Sequence, residues 1–359
     1  VSIINNKHIL IAAAGTGGHI YPGLAVANYF KKNNFKISWL GTPEGMENYL
    51  LNKKEIQFNQ INIHGFRGRG LRSWLKLPFV LIYATYQAIK IIKKWNPTVI
   101  LVMGGYISVP VAISAKILGV HLIIHEQNAL VGLSNRVMNK ISNVSFSGLK
   151  SNIKSMREIG NPIREELYKI NNPAKRLLRR KGPLRILVLG GSLGAKQFNE
   201  YLPKIFETVN ENKAITIIHQ SGDKNYDELV KNYKHINLKV EVKKFIHDMD
   251  KKYEWADLII ARSGALTVSE ICEVGIASIL LPYPYAVDNH QLFNAKIIKN
   301  KNGGFIIHQE NMIVELKSIL NDITREECLI MATNVKNKKR QNAAKEIFNY
   351  CKKVLDHEK

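Results

Sequence analysis

The sequence predicts an α/β protein built from two doubly wound, Rossmann-like domains, and three observations support this. The chain has 359 residues, a length that favours two domains over one. Short apolar runs alternate with helical patterns along both halves, which is typical of parallel sheets joined by right-handed crossovers. A glycine-rich turn follows an apolar run near the start of each half, at residues 15–19 and 190–195.

In the first half, the candidate strands are short, apolar and β-branched, as strands buried on both faces are. They cover residues 8–14, 36–41, 56–63, 98–103, 120–125 and 143–146. A helical pattern follows the first of them over residues 22–32, with Pro22 near its first turn. This alternation predicts one parallel sheet for the first half.

The second half repeats the plan after Gly160, Asn161 and Pro162, where we expect the domain boundary. Its candidate strands cover residues 185–189, 216–219, 239–242, 258–261, 278–281 and 304–307. The chain then ends in a helical pattern over residues 341–355. Ligands of such folds bind at the carboxyl ends of the strands, so we expect an interdomain cleft there.

Composition narrows the class of protein. Hydrophobic residues make up 45% of the chain, which is ordinary for a globular protein, and three cysteines without metal or redox spacing indicate a reducing cytosol. The N-terminal residues are too polar for a signal peptide, and no apolar run is long enough to predict a membrane span. A net charge of +23 attracts nucleic acid, anionic lipid or an anionic substrate, or reflects lysines scattered by a biased composition.

The two glycine-rich turns suit phosphate. Glycine lets the backbone approach a bulky ligand and adopt positive φ, and the helix start that follows offers free N–H groups. The first turn matches two glycines of the dinucleotide-binding fingerprint, but Ile20 stands at the third glycine position. The second strand also ends without an acidic residue for a ribose, which disfavours a nicotinamide enzyme.

Polar side chains stand where two strands of the first half end. His19 follows the first turn, where it is either a general base facing the cleft or a cap of the loop. Residues 125–128 are four consecutive polar residues at the end of a buried strand. Because burying polar groups is costly unless they bind something, we interpret these residues as facing a ligand.

Two helix starts in the second half carry further candidates. In residues 262–270, Gly264 and its small neighbours expose N–H groups for a phosphate. Glu270, expected on the first turn of that helix, either caps those groups or takes the two hydroxyls of a ribose. Residues 288–291 begin the next helix, either as an N-cap with solvated neighbours or as a reader of sugar hydroxyls.

These motifs, taken together and in order, carry a resemblance across almost the whole chain. They are residues 15–19 with 22–27, 103–106, 125–128, 160–164, 190–195, 262–270 and 288–291. The set resembles the MurG family, the UDP-N-acetylglucosamine:N-acetylmuramyl-(pentapeptide) pyrophosphoryl-undecaprenol N-acetylglucosaminyltransferases of bacterial peptidoglycan synthesis. The chain departs from the family at Leu193, where glutamine is frequent, but the backbone cradle of that loop is kept.

The resemblance implies the GT-B architecture. Residues 1–163 would bind the lipid-linked acceptor, residues 164–340 would bind UDP-GlcNAc, and the helix within 341–359 would pack back on the first domain. The implied reaction is inverting transfer of GlcNAc to the C4 hydroxyl of the muramyl sugar of lipid I, which yields lipid II. The implied location is the cytoplasmic face of the bacterial inner membrane, as a peripheral protein with other cell-wall enzymes as further partners.

The resemblance also implies roles for individual residues. Ile246 would meet uracil through its backbone, and Glu270 would bind the ribose. The other donor contacts are Thr16, Gly17, Gly18, Asn128, Arg164, Ser192, Ala265, Leu266, Thr267, Val268, Ser269, His290 and Gln291. Gly15 and Tyr106 would bind the acceptor. His19 is the candidate base, and Glu126 is the alternative.

We expect no cofactor and no tightly bound metal. UDP-GlcNAc is a substrate, and the sequence has no acidic D-x-D pair of the kind that holds a divalent ion on a diphosphate. Another UDP-sugar enzyme of the same architecture, such as a UDP-GlcNAc 2-epimerase, is an alternative, and so is a basic RNA-binding module. The aromatic residues mostly lie within apolar patterns and not between basic clusters, so we expect no nucleic-acid partner.

Residues 65–95 predict docking on anionic lipid. The basic residues Arg69, Arg72 and Lys76 precede an apolar stretch, residues 77–83, that is far too short to span a bilayer. In a helix over residues 78–95, one face would pack on the sheet through Leu81, Ala84, Ala88 and Ile92, while Phe79, Ile82 and Tyr86 turn elsewhere. A basic rim around exposed apolar residues favours an anionic leaflet; the alternative is a buried helix with a solvated basic loop.

Overall fold

The computed structural model describes residues 7–51, 56–65, 71–337 and 342–357, with backbone alone for residues 71–75 and 357. The chain divides into two compact units. Unit 1 is Val1–Ile163 with Gln341–Lys359, and unit 2 is Arg164–Arg340. Each unit holds one parallel sheet with helices around it, which confirms the predicted fold class.

The sheet of unit 1 has the strand order β3-β2-β1-β4-β5-β6-β7. These strands are β1 His8–Ala12, β2 Lys36–Gly41, β3 Gln57–Gln60, β4 Val99–Val102, β5 His121–Glu126, β6 Val144–Ser147 and β7 Arg157–Glu158. The helices between them are α1 Gly17–Lys32, α2 Glu47–Leu51, α3 Leu71–Trp95, α4 Ser108–Leu118 and α5 Leu133–Met138.

The sheet of unit 2 has the strand order β10-β9-β8-β11-β12-β13. These strands are β8 Leu184–Leu189, β9 Ile215–Gln220, β10 Lys239–Lys243, β11 Leu258–Ala261, β12 Ala277–Leu280 and β13 Gly304–Ile306. The helices are α6 Pro173–Leu177, α7 Lys196–Asn212, α8 Tyr226–Tyr233, α9 Met249–Trp255, α10 Ala265–Val274, α11 His290–Asn300, α12 Met312–Asp322 and α13 Arg325–Val335. The last helix, α14 Ala343–His357, belongs to unit 1.

The first strand of each unit lies in the middle of its sheet. β1 pairs with β2 on one side and β4 on the other, and β8 pairs with β9 and β11 in the same way. Chain direction across the sheet reverses at these strands, and ligands of doubly wound folds bind at such switch points. Both glycine-rich turns therefore follow the strand that is best placed for ligand binding.

Helix α14 completes the core of unit 1. Phe348 makes an edge-to-face contact with Phe30 of α1 at a ring-centroid distance of 5.2 Å, and a second one with Phe35 at 5.4 Å. Ile347 and Cys351 are fully buried in the same cluster. Such aromatic packing contributes beyond the area it buries, which explains why the end of the chain returns to the first unit.

Two helix starts and one strand differ from the prediction. Helix α1 begins at Gly17, so Pro22 lies inside it and not near its first turn, because the Ile20 N–H already bonds to the Thr16 carbonyl. Helix α3 begins before Pro78, at Leu71. The two-residue strand β7 carries no apolar pattern and was not predicted. Among the described helices, none is long and apolar enough to cross a bilayer.

Candidate functional site

In unit 1, the residues that follow β1, β4 and β5 meet around His19. The His19 Nδ1 atom lies 2.9 Å from the Met103 carbonyl oxygen and 3.0 Å from Oε1 of Gln127. A Cβ atom on Gly104, whose φ is +99°, would lie 2.9 Å from Cε1 of the ring. Glycine at this position therefore allows both the backbone turn and the close approach of the imidazole.

A chain of hydrogen bonds fixes the tautomer of His19. Because both neighbours of Nδ1 are oxygen acceptors, Nδ1 carries the proton, and a neutral ring then presents Nε2 as an acceptor. The Gln127 amide nitrogen lies 3.2 Å from Nδ1 of His125 and donates to it. The Nε2 of His125 in turn donates to the Gly160 carbonyl at 3.0 Å.

His125 is suited to this chain because it stays neutral. Its side chain is fully buried, and burial lowers its pKa to about 4, against smaller raising effects of Gly160 and Glu126. A neutral imidazole has one donor and one acceptor, and both are used here. We call the connected side chains His19, Gln127 and His125 the histidine chain.

The buried carboxylate of Glu126 holds a loop. Its Oε1 accepts from the backbone and side-chain nitrogens of Asn128, at 3.0 and 3.1 Å. Its Oε2 accepts from the Gly132 N–H at 3.1 Å and from the Asn135 side chain at 2.9 Å. Four donors occupy the two oxygens, so the geometry favours His19 over Glu126 as a base.

The two residues predicted for the acceptor lie side by side. Gly15 has a φ of +92°, and a Cβ atom there would lie 3.7 Å from the Tyr106 ring. The Gly15 N–H donates to Oε2 of Glu47 at 3.3 Å, and the other oxygen of Glu47 accepts from the Thr42 N–H at 2.8 Å. Glu47 is fully buried, and it was not predicted from the sequence because it lies in a helix of only five residues.

The start of α1 leaves amides for a ligand. Thr16 is the N-cap, with extended backbone and no capping bond from its side chain. The His19 and Ile20 amides bond to the Thr16 carbonyl. The Gly17 and Gly18 amides precede these first bonds of the helix and point out of its start. This is the arrangement that favours an anion.

In unit 2, the second glycine loop, residues 190–195, packs directly on the segment after β9. A Cβ atom on Gly194 would lie 1.9 Å from the Ser221 carbonyl oxygen, and one on Gly222 would lie 2.1 Å from that of Leu193. Ser192 lies half-buried near the tip of the loop, next to the exposed Leu193. Glycine at these positions is thus needed for backbone packing within the protein.

The start of α10 presents a row of amides. Gly264 is the N-cap with extended backbone, and the first helical bond runs from the Val268 N–H to the Gly264 carbonyl at 3.0 Å. The amides of Ala265, Leu266 and Thr267 precede that bond and point out of the helix start. Ser269 lies half-buried on the same helix.

Val268 is a correction to the predicted donor contacts. Its side chain is fully buried in unit 2, and its N–H is used by the helix. It therefore has no group to offer to a ligand and serves the packing of α10.

Glu270 lies in the second turn of α10, which corrects the expected first turn and excludes helix capping. Its Oε1 lies 3.6 Å from the Arg164 guanidinium, and its Oε2 accepts from the Tyr253 hydroxyl at 3.0 Å. Burial raises the pKa of this carboxyl, while Arg164 and Tyr253 oppose the rise. The structure thus brings together Arg164 and Glu270, two of the residues predicted for the nucleotide.

Residues 288–291 form a tight turn into α11. Asp288 and Asn289 both have φ of +53°, and Nδ1 of His290 donates to the Val287 carbonyl at 2.7 Å. Oε1 of Gln291 accepts from the Tyr283 N–H at 2.9 Å. The amide nitrogen of Gln291 and Nε2 of His290 are left as polar atoms for a ligand.

Ile246 is buried, and its N–H donates to Oε1 of Gln220 at 2.9 Å. Gln220 was not singled out from the sequence, where it is one amide at the end of a strand.

The predicted docking residues fall on α3 and the segment before it. Arg69 lies outside the described residues, and Arg72 is described by its backbone alone. Lys76 is exposed, as are Phe79 at 75% and Ile82 at 69% of their surface. Ala84, Ala88 and Ile92 are buried against the sheet. The two predicted faces of the helix are therefore confirmed.

Comparison with known proteins gives consistent matches over both units. The glycosyltransferase family 28 N-terminal domain matches residues 9–146, and the C-terminal domain of that family matches residues 185–347. A relative from Dechloromonas aromatica, named UDP-N-acetylglucosamine--N-acetylmuramyl-(pentapeptide) pyrophosphoryl-undecaprenol N-acetylglucosamine transferase, is 38% identical over 97% of this chain and 99% of its own.

Solved structures agree with these matches. The crystal structure of Acinetobacter baumannii MurG aligns with a TM-score of 0.82 and 34% identity, over 97% of this chain and 99% of its own. A calicheamicin glycosyltransferase aligns with a TM-score of 0.70 over 98% of both chains, and its 11% identity makes this a likeness of fold alone. Within the described part of the chain, no three His, Cys, Asp or Glu side chains are grouped as a metal ion would need.

Proposed function

The chain belongs to the MurG transferases of glycosyltransferase family 28, and from this premise we propose which groups carry out the transfer of GlcNAc from UDP-GlcNAc. The acceptor is undecaprenyl-pyrophosphoryl-N-acetylmuramyl-pentapeptide, the substrate in the relatives' name. The product is lipid II, formed with inversion at the anomeric carbon by attack of the muramyl C4 hydroxyl.

Unit 2 binds the donor. The amides of Ala265, Leu266 and Thr267 and the glycine loop with Ser192 meet the diphosphate, because a helix start concentrates N–H donors and positive dipole. The Glu270 carboxylate accepts from the ribose hydroxyls on lone pairs that Arg164 and Tyr253 leave free. The side chains of Gln291 and His290 form hydrogen bonds with the sugar hydroxyls.

Unit 1 supplies the base and binds the acceptor next to Gly15 and Tyr106. The bond between the muramyl C4 oxygen and the anomeric carbon forms as the bond from that carbon to the UDP phosphate oxygen breaks. His19 Nε2 takes the hydroxyl proton, and UDP leaves with the electron pair of the broken bond. The helix-start amides and Arg164 stabilise the charge that develops on the leaving diphosphate.

The observation that supports this assignment of the base is the histidine chain. Two oxygen acceptors hold the proton on Nδ1 of His19, which leaves Nε2 as the basic atom, and His125 stays neutral behind it. A histidine held in one tautomer reacts without first reorienting.

The test is a reaction of purified protein with labelled UDP-GlcNAc and a lipid I analogue. We expect one added HexNAc on the acceptor, in β linkage, and stoichiometric UDP. Formation of UDP-ManNAc without acceptor would instead indicate an epimerase, and a product with retained configuration would overturn the single displacement.

We further propose that α3 docks the protein on the cytoplasmic face of the inner membrane. Phe79 and Ile82 are exposed on one side of α3, next to Lys76, and Lys90 lies over the Tyr86 ring at 4.6 Å. Each cation near an anionic surface contributes roughly 1 kcal/mol, and apolar side chains add to this by burial between headgroups. Docking of this kind brings the enzyme to an acceptor whose undecaprenyl tail stays in the bilayer.

A vesicle assay tests the docking face. Changing Phe79 and Ile82 to Ser and Lys76 to Glu should abolish co-sedimentation with phosphatidylglycerol vesicles and leave turnover on a short-chain acceptor intact. The matched control changes Val314 to Ser and Lys317 to Glu, which are exposed on α12 in unit 2. If the first variant still sediments like the parent protein, the docking surface lies elsewhere.

A further inference from the structure

Gln220 joins two loops of unit 2 that are far apart in sequence. It is the last residue of β9 and is buried. Its Oε1 accepts from the Ile246 N–H at 2.9 Å, and its Nε2 donates to the Gly191 carbonyl at 2.9 Å. These two partners fix the orientation of the Gln220 amide, because the Ile246 N–H can bond only to its oxygen and the Gly191 carbonyl only to its nitrogen.

The two loops are the ones proposed to hold opposite ends of the nucleotide. Residues 244–248, which include Ile246, form the base loop, and residues 190–195 form the phosphate loop. The backbone of the phosphate loop also rests on the residues after Gln220, since a Cβ atom on Gly194 would lie 1.9 Å from the Ser221 carbonyl oxygen. Ser221 is tied to the strand that precedes the base loop, because its N–H bonds to the Lys243 carbonyl at 2.9 Å.

We propose that Gln220 is a positioning residue that sets the spacing of the base loop and the phosphate loop and thereby selects a uridine diphosphate. This inference rests on the proposed donor site. Because the Ile246 N–H is used by Gln220, the base meets the Ile246 carbonyl. That carbonyl accepts from N3–H of uracil and repels the unprotonated N3 of cytosine.

Two substitutions at one position separate the two bonds. Gln220→Glu keeps an oxygen to accept from Ile246 but has no N–H for Gly191 and adds a charge near the diphosphate. Gln220→Met keeps the length of the side chain and removes both bonds. The readouts are calorimetric affinities for UDP and CDP, and the KM and kcat for UDP-GlcNAc.

We expect Gln220→Met to weaken UDP binding about tenfold and to lower the UDP-over-CDP ratio at least threefold, with kcat at saturation changed less than KM. Gln220→Glu should weaken UDP binding at least as much, while its ratio of UDP affinity to CDP affinity stays within about twofold of that of the parent protein. A merely structural role would reduce both nucleotides equally in both variants.

Asn210 provides the matched control. It makes the same pair of bonds at the other end of β9, accepting from the Ile215 N–H at 3.2 Å and donating to the Asn237 carbonyl at 3.0 Å. Asn210→Leu should leave both affinities unchanged. The inference is overturned if Gln220→Met keeps the affinities of the parent protein and their ratio. It is also overturned if both Gln220 variants lose affinity for UDP and for CDP by the same factor. A parent protein that fails to bind UDP would instead overturn the donor site.

Discussion

Unit 1 and unit 2 share one topology but use different groups at the carboxyl ends of their strands. In unit 1, the polar side chains are joined into the histidine chain, which ends on the Gly160 carbonyl. In unit 2, the first-turn amides of α10 are left without side-chain caps, and a half-buried ion pair of Arg164 and Glu270 lies on the same helix. The first arrangement fixes one proton, and the second leaves donors open for an anion.

The difference matches the roles proposed for the two units. A base needs a defined tautomer, so its partners must all be satisfied within the protein. A binding site for a diphosphate needs donors that stay unsatisfied until the ligand arrives, which helix starts provide at little cost because water solvates them. The comparison predicts that substitutions in the histidine chain of unit 1 change turnover, and substitutions around the start of α10 in unit 2 change donor affinity.

The largest effect is expected at His19. His19→Ala should lower turnover about 10²–10⁴-fold, the usual contribution of a general base, and leave the calorimetric affinity for UDP-GlcNAc unchanged. His235→Ala, an exposed histidine of unit 2, is the control. A loss below tenfold with an unchanged pH profile would reject His19 as the base.

Lowering the pH should decrease the free energy of unfolding of unit 1 more than that of unit 2. Burial lowers the pKa of His8 and His125 in unit 1 to about 4 and that of His219 in unit 2 to about 3. In the unfolded chain, each of these rings has a pKa of about 6.5 and binds a proton below that pH, whereas the folded ring stays neutral. The free energy of unfolding therefore falls as the pH drops from about 6.5 towards 4. The loss is roughly 2–3 kcal/mol per ring at pH 4.

Hydrogen exchange checks this acid effect strand by strand. Peptides covering β5 should lose more protection between pH 7.5 and pH 4.5 than peptides covering β9, after correction for the intrinsic exchange rate. His219→Phe should flatten the pH dependence of unit 2 alone. Equal losses in the two sheets would contradict the assignment of the extra buried ring to unit 1.

Prediction from the sequence succeeded where the signal is local. The strands were placed because short β-branched runs identify buried parallel strands, and both glycine turns were found because they follow such runs directly. The start of α1 was misplaced because Pro22 is typical of a first turn, whereas the helix begins at the glycines that precede it.

The side chains that were missed have partners far along the chain. Glu47 bonds to an amide 32 residues away, and Gln220 bonds to an amide 26 residues away. Gln127 was singled out within residues 125–128, but its bond to a ring 108 residues away was not predicted. Nothing in the sequence around an isolated Gln or Glu indicates such a partner. Polar residues at strand ends and helix starts were thus easier to predict than the buried residues that hold those loops in place.

In unit 2, Glu270→Ala should weaken UDP-GlcNAc binding by about 1–3 kcal/mol, the usual cost of losing hydrogen bonds to a charged group. Calorimetry measures this loss, with Glu326→Ala, at an exposed position of α13, as the control. Because burial raises the pKa of Glu270, donor affinity of the parent protein should also fall on acidification at a higher pH than an ordinary glutamate implies. Parent affinity in a folded variant would remove Glu270 from the ribose site.

Gln127 tests whether the histidine chain acts as a unit. Gln127→Leu should lower turnover about tenfold, less than the loss of His19, because the Met103 carbonyl still holds the Nδ1 proton. Gln127→Glu should move the acidic limb of the pH–rate profile upward, because a carboxylate beside the ring favours its protonated form. Gln87→Leu, which removes an acceptor from the Asn62 N–H, is the control. An unmoved profile would show that Gln127 does not act on His19.

The smallest effect is expected from chelation. In the proposed reaction, the amides of Ala265, Leu266 and Thr267 and the Arg164 guanidinium stabilise the negative charge of the leaving diphosphate. In other enzymes a divalent ion stabilises this charge. Turnover should therefore stay within about twofold when EDTA is added, and added Mg²⁺ should restore nothing. Arg164→Lys makes the test sharper, because it keeps the charge but loses the planar fork that bonds to two oxygens at once. If that variant becomes dependent on Mg²⁺ while the parent protein does not, the guanidinium takes the place of the ion. If the parent protein already loses activity on chelation and regains it with Mg²⁺, open helix starts are not sufficient for the leaving group, and unit 2 binds a cation with its donor.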